Sequence, residues 1–207
     1  MPAALVLGAS RGIGLEFTRQ YLQAGWQVHA TYRSEDHRMS LRDMGAHPLK
    51  LDVGHLEDIA GLAWQLEGEQ FDVVVMNAGV FGPRDSSTQK PPDDAAFDLV
   101  MRTNVLAAMR LIPVVMPCLS AKRGTMAFIS SRMGSISEAA NSYGLLYRVS
   151  KASVLALHPG WVRTDMGGPN ADVDVEASVE GLRRVISEPL AYPSGQFFDY
   201  RGSSLAW

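Results

Sequence analysis

The chain has 207 residues, 19 basic and 22 acidic, for a net charge of −3, a length that suits one domain with about 70% of its unfolded surface buried. With 46% hydrophobic and 20% charged residues, intrinsic disorder is excluded, and the slight acidity gives no electrostatic reason to expect nucleic acid or an anionic membrane as partner. The one cysteine, Cys118, excludes an internal disulfide and a zinc site with two thiolates, and the five histidines show no ligand spacing, so no metal is expected.

No apolar run approaches the roughly 18 residues that span a bilayer. Met1-Pro2-Ala3 enters an apolar strand at once, with no charged leader, so a cytoplasmic protein is expected. Strand-like runs follow one another at Ala3–Leu7, Gln27–Tyr32, Pro48–Val53, Phe71–Met76, Thr125–Ser130, Val154–His158 and Gln196–Asp199. Most are apolar throughout, as strands buried on both faces are. Helical spacing fills Gly12–Ala24, Leu56–Leu66, Asp94–Leu119 and Val175–Ser187. The third helix is expected to start at a cap near Pro92-Asp93, with Pro113 and Pro117 kinking or ending it. The alternation predicts one α/β domain, a doubly wound parallel sheet covered by helices, over residues 1–207.

The first strand runs into Gly8-Ala9-Ser10-Arg11-Gly12-Ile13-Gly14 and then a helix. Glycines let backbone amides approach a phosphate closely, and the helix N-terminus adds a positive dipole end. The spacing is G-x-x-x-G-x-G rather than G-x-G-x-x-G. The same residues match a G-x-S-x-G nucleophile elbow with Ser10 at its centre, but an elbow serine follows several strands, and this reading leaves Gly14 unexplained.

Further motifs follow in chain order. Asp52-Val53 ends the third strand and Asn77-Ala78-Gly79 the fourth. Small residues there let the backbone pass beside a ribose or adenine, and the asparagine can tie neighbouring strands; a helix cap and a plain turn are the bland alternatives. Arg33 stands at the end of the second strand, where an acid would bind a ribose 2′-hydroxyl, and Arg11 adds a second cation. A guanidinium fork suits a 2′-phosphate, so NADP(H) is expected, while Glu35 and Asp36 keep NAD open. Tyr147 and Lys151 are four apart and share a helix face. A nearby ammonium would lower a phenol pKa of about 10 toward the range of a general base. Ser131 could hydrogen-bond a substrate oxygen as charge develops.

These motifs, with Thr103-Asn104-Val105, Ile129-Ser130-Ser131-Arg132-Met133-Gly134 and Pro159-Gly160-Trp161-Val162-Arg163-Thr164, resemble a short-chain dehydrogenase/reductase of the single-domain branch. The C-terminal half is similar to bacterial C-factor-like members. The resemblance implies a Rossmann-type fold and a catalytic tetrad of Asn104, Ser131, Tyr147 and Lys151. It assigns Asp52 to the adenine amino group. Backbone near Val162, within Pro159 and Gly160's loop, and the Thr164 hydroxyl would hold the nicotinamide carboxamide. Cofactor contacts are thus expected at Gly8, Ser10, Arg11, Gly12, Ile13, Gly14, Arg33, Asp52, Val53, Asn77, Ala78, Gly79, Tyr147, Lys151, Pro159, Gly160, Val162 and Thr164. Ser131 is preferred over Ser130 because it stands three before Gly134, and Tyr143 lacks a lysine four residues on.

One departure stands out. Only six residues separate Lys151 from His158, where the resembled family has some twenty more. A crossover between parallel strands needs a dozen or more. A helical segment between about 152 and 155 is therefore expected to be missing from the sequence. The expected function is NADP(H)-dependent interconversion of a carbonyl and a secondary alcohol, in a homodimer or homotetramer. The alternative is a cofactor-binding signalling or regulatory protein with little turnover.

Overall fold

Strand β1 (Ala3–Leu7) is buried along its whole length. Its Ala4 and Val6 face one apolar cluster, with helix α1 (Gly12–Gln23) and α7 (Val175–Ser187). Ala3, Leu5 and Leu7 face the other, with α3 (Leu56–Gln65) and α5 (Ala107–Val115). This two-sided burial is why the strand reads as an unbroken apolar run rather than an alternating one. The computed structural model describes residues 1–121, 124–139, 141–152, 157–192 and 195–206.

Five parallel strands lie in the order β3-β2-β1-β4-β5, with β2 Gln27–Tyr32, β3 His47–Lys50, β4 Val73–Met76 and β5 Thr125–Phe128. Ala4 pairs with Val28 on one side and Val73 on the other. A parallel pair, β6 (Leu157–His158) and β7 (Phe198–Asp199), continues past β5 through the Ile129–Leu157 bridge. The chain leaves β1 toward β2 and later returns to its other side at β4, so the carboxyl ends of β1 and β4 frame a crevice.

Several strands are shorter than their apolar runs: Leu51 to Val53, Phe71 and Asp72, and Ile129 and Ser130 fall outside the regular ladder. One helix was not expected from the sequence. α2 (Asp36–Asp43) is polar with Leu41 its one buried residue, so it offers no apolar stripe to read. Asp93 caps α4 (Asp94–Met101), its carboxylate accepting from the Ala96 amide at 2.7 Å. From there one helical path runs to Cys118 through a wide π-turn at Arg102–Leu106, through α5 with Pro113 inside it, and into a tight last turn holding Pro117. By length and composition this 25-residue path could cross a membrane, which corrects the expectation that no segment could. Here Val100, Leu111 and Val115 pack it into the fold. α6 (Leu145–Ala152) carries Tyr147 and Lys151, and its join to β6 at residues 153–156, where the missing segment is expected, lies outside the described residues.

Candidate active site

The carboxyl ends of the strands open into a cleft of about 1290 Å³. At one end is the turn between β1 and α1. Gly8 has φ +88° there, and a Cβ on it would stand 2.7 Å from the backbone of Ala78, so the turn can pass this close to β4 only without a side chain. Arg11 precedes α1 and makes no side-chain cap, which leaves the first-turn amides to the cleft. Gly8, Ser10, Arg11, Gly12 and Ile13 line it. Gly14 does not: a Cβ on it would stand 2.0 Å from the Gly8 carbonyl oxygen, so its part is to seat the helix on the turn. No histidine hydrogen-bonds to Ser10 among the described residues, and the elbow arrangement gains no support.

Arg33 and Ser34, at the end of β2, line the same cleft. Arg33 has no carboxylate partner among the described residues. Glu35 turns away to Lys50 at 3.2 Å, and Asp36 accepts from Ser34 at 3.0 Å. Arg11 reaches across the cleft to Asp165 at 2.8 Å, with both side chains exposed. Asp52 and Val53 line the adjoining wall, and one Asp52 oxygen accepts the Gly54 amide at 2.9 Å. Asn77 Nδ2 donates to the Gly8 carbonyl at 2.8 Å, tying β4 to β1. Ala78 and Gly79 continue the wall.

The other end of the cleft gathers Ser131 from the loop after β5 and Tyr147 and Lys151 from α6, with Pro159, Gly160, Val162 and Thr164 beside them. Ser131 opens the short turn Arg132–Gly134, its hydroxyl accepting the Met133 amide at 3.2 Å. Ser130, the rival, is buried and donates to the Lys151 carbonyl at 3.1 Å. Lys151 is 7% exposed and its Nζ donates to the Ile129 carbonyl at 3.0 Å. Asn104 sits in the π-turn rather than on the cleft wall. Its amide is locked by the Val80 backbone, donating to the carbonyl and accepting from the N–H at 2.8 Å each, and it donates to Ser150 Oγ at 2.9 Å. Gly79 bridges the two: a Cβ there would stand 3.2 Å from Asn104 Oδ1 and 3.4 Å from Lys151 Nζ. A side chain at position 79 would fill the space between them.

The short chain dehydrogenase family model matches residues 2–164. The chain belongs to that family. It is an NAD(P)-dependent oxidoreductase. It is 34% identical to the C-signal protein of Myxococcus xanthus over 157 positions, 66% of this chain and 92% of that one. Two similar solved structures are a carbonyl reductase of Pseudomonas aeruginosa PAO1 in complex with NADP (30% identity, TM-score 0.84, all of both chains) and an NADPH-bound carbonyl reductase from chicken fatty liver (28% identity, TM-score 0.86, 100% of this chain and 99% of that one).

Electrostatics at this end of the cleft differ from the sequence expectation. Burial pushes the Tyr147 phenol up to about 12, with the Ser131 hydroxyl opposing it. Burial also pushes Lys151 down to about 8. Lys151 Nζ stands 5.7 Å from the centre of the Tyr147 ring and turns to Ile129, so dehydration rather than a neighbouring ammonium governs the phenol. Two residues at this end escaped the sequence reading. Phe81 stacks on Tyr147 from a loop with no regular spacing. His158 ends β6 and also lines the cleft.

Proposed function

We propose that this protein is an NADP(H)-dependent reductase that interconverts a carbonyl and a secondary alcohol. The observation that carries the reading is one cleft joining uncapped helix amides and a free Arg33 at one end to Ser131, Tyr147 and Lys151 at the other. Those residues fit the cofactor by their chemistry: amides and a dipole end for the pyrophosphate, Arg33 for a 2′-phosphate, Asp52 for the adenine, and Pro159, Gly160, Val162 and Thr164 for the nicotinamide. When bound, the nicotinamide supplies the hydride.

The side chains do the rest. In the reducing direction Tyr147 gives its proton to the substrate oxygen, and a phenol held up at about 12 keeps that proton available at neutral pH. Ser131 donates a hydrogen bond to the same oxygen as it gains charge. Lys151 and Asn104 support proton return to Tyr147 across the space that Gly79 leaves open. Glu35 and Asp36, engaged with Lys50 and Ser34, favour NADP over NAD.

A homodimer or homotetramer is part of the proposal. Phe97, Met109, Ile112 and Met116 are exposed along one helical path and turned away from the cleft, apolar surface that a second copy would cover. Light scattering of the purified protein reads the assembly directly. The activity is tested by a panel of aldehydes, ketones and secondary alcohols followed at 340 nm with each cofactor. Turnover with NADPH in preference to NADH is expected. Tight NADPH binding without turnover of any member would favour the signalling alternative.

A further inference from the structure

We infer that His158 is a positioning residue for the reaction: its Nδ1 accepts the amide proton of Arg132 and so fixes the backbone that carries Ser131. The inference rests on the reading of Ser131 as the group that stabilises the substrate oxygen.

The geometry of the Ser131 loop makes the case. The loop must leave β5 and turn at once, and each polar backbone group in that turn needs a partner. The Ser130 amide donates to the Leu157 carbonyl at 2.8 Å. The Ser130 hydroxyl donates to the Lys151 carbonyl at 3.1 Å. The Gly134 amide donates to the Ser131 carbonyl at 2.8 Å. The Met133 amide donates to the Ser131 hydroxyl oxygen at 3.2 Å. The Arg132 amide is the first of its turn and has no carbonyl behind it to use. It donates instead to His158 Nδ1 at 3.1 Å. Strand β6 has only two residues, and both serve this loop: Leu157 by its carbonyl and His158 by its ring.

An imidazole can take this role only when neutral, with its proton on Nε2. The groups facing the ring are the Arg132 and Arg201 guanidiniums and the Asp199 carboxylate. Burial, aided by the two cations, pushes His158 down to about 4 and keeps Nδ1 an acceptor at neutral pH. A substrate oxygen must be met within a few tenths of an ångström, and a misplacement of about 1 Å can cost about 10²-fold in rate. His158 does not touch that oxygen in this account; it acts through the Ser131 backbone.

Asparagine supplies the test. Its Oδ1 is bonded to Cγ, as Nδ1 is in histidine, so His158→Asn keeps an acceptor where His158→Leu has none. Both variants of the full chain are compared with the wild type and with Ser131→Ala. NADPH affinity is read by fluorescence, and kcat and KM are measured on a carbonyl from the panel. His158→Leu is expected to lose about 10²-fold in kcat, with NADPH affinity unchanged. His158→Asn is expected to recover most of that loss. Equal impairment of the two variants, or a His158→Leu enzyme as fast as wild type, overturns the inference. Imidazole nitrogen-15 shifts of the wild type give a readout without turnover. A neutral ring with its proton on Nε2 at pH 7 is required; a cation or an Nδ1–H tautomer overturns the assignment. Should Ser131→Ala turn over normally while the ring shows the required tautomer, the reading of Ser131 fails and the hydrogen bond stands.

Discussion

Phe81 lies nearly parallel to Tyr147, ring centres 4.4 Å apart and planes 15° apart. The Arg84 guanidinium sits 4.8 Å from the centre of the Phe81 ring and donates to the Met166 carbonyl at 2.7 Å, so one loop both covers the phenol and reaches the segment after Thr164. Phe81 thereby supplies part of the dehydration that raises the Tyr147 pKa. Phe81→Ala is expected to let water reach the phenol and bring it from about 12 toward the ordinary value of 10.0. Alcohol oxidation, which needs the phenolate, should then rise at lower pH than in the wild type. The pH–rate profile in that direction is the measurement, and an unmoved limb would contradict the link.

Lys151 trades stability for its place in the site. Its pKa falls from 10.5 to about 8 on folding, so the folded state holds fewer protons between those values. Below pH 8 the buried charge costs stability, and that cost is relieved as pH rises from about 8 to 10.5. Lys151→Met removes the charge but leaves the Ile129 carbonyl without its donor. A net gain of about 2 kcal/mol at pH 7 is expected in denaturant unfolding. Turnover should fall by at least about 10²-fold. A variant less stable than wild type at pH 7 would show that the penalty was overstated.

The glycine turn after β1 and the parallel sheet were legible because glycine spacing and two-sided apolar runs follow from backbone packing alone. Ser131, Tyr147 and Lys151 could be named from the sequence and share one cleft, but their surroundings could not be read there. A spacing of four puts Tyr147 and Lys151 on one face, but it does not say that Nζ turns to Ile129 or that burial outweighs charge at the phenol. Asn104 could be named, yet nothing in Thr103-Asn104-Val105 announces a π-turn. Phe81 and His158 act through contacts with partners more than 20 residues away, which no local pattern carries. Glycine spacing names Gly14 but does not say that it lies off the cleft wall, where a Cβ would meet the Gly8 carbonyl oxygen.

That last point is open to a stability test. A methyl at position 14 would stand 2.0 Å from Gly8 oxygen and 2.6 Å from Asn77 Nδ2. Gly14→Ala should cost more than about 2 kcal/mol, because strand and helix must separate to admit it. Gly61→Ala is the control, since a Cβ there meets nothing within 4 Å. It should be neutral or stabilising by roughly 1 kcal/mol. Equal thermal midpoints for the two variants would refute the packing role.

In the proposed function, Arg33 reads the 2′-position of the cofactor. Arg33→Asp should repel a 2′-phosphate and accept a ribose hydroxyl in its place. The ratio of kcat/KM for NADPH over NADH is expected to fall by about 10²-fold, the loss of roughly two charge-assisted hydrogen bonds. An unchanged ratio would assign the phosphate to another residue, with Arg11 first in line once freed from Asp165.

Tyr147→Phe tests most directly whether Tyr147 moves the proton that accompanies hydride transfer. The substitution removes one oxygen from a ring already packed against Phe81, so the fold and the cleft should persist. Carbonyl reduction is followed at 340 nm beside NADPH affinity by fluorescence. A loss of roughly 10²–10⁴-fold, what a positioned proton donor contributes, is expected, with NADPH affinity within about threefold of wild type. Reduction within threefold of the wild-type rate would contradict it.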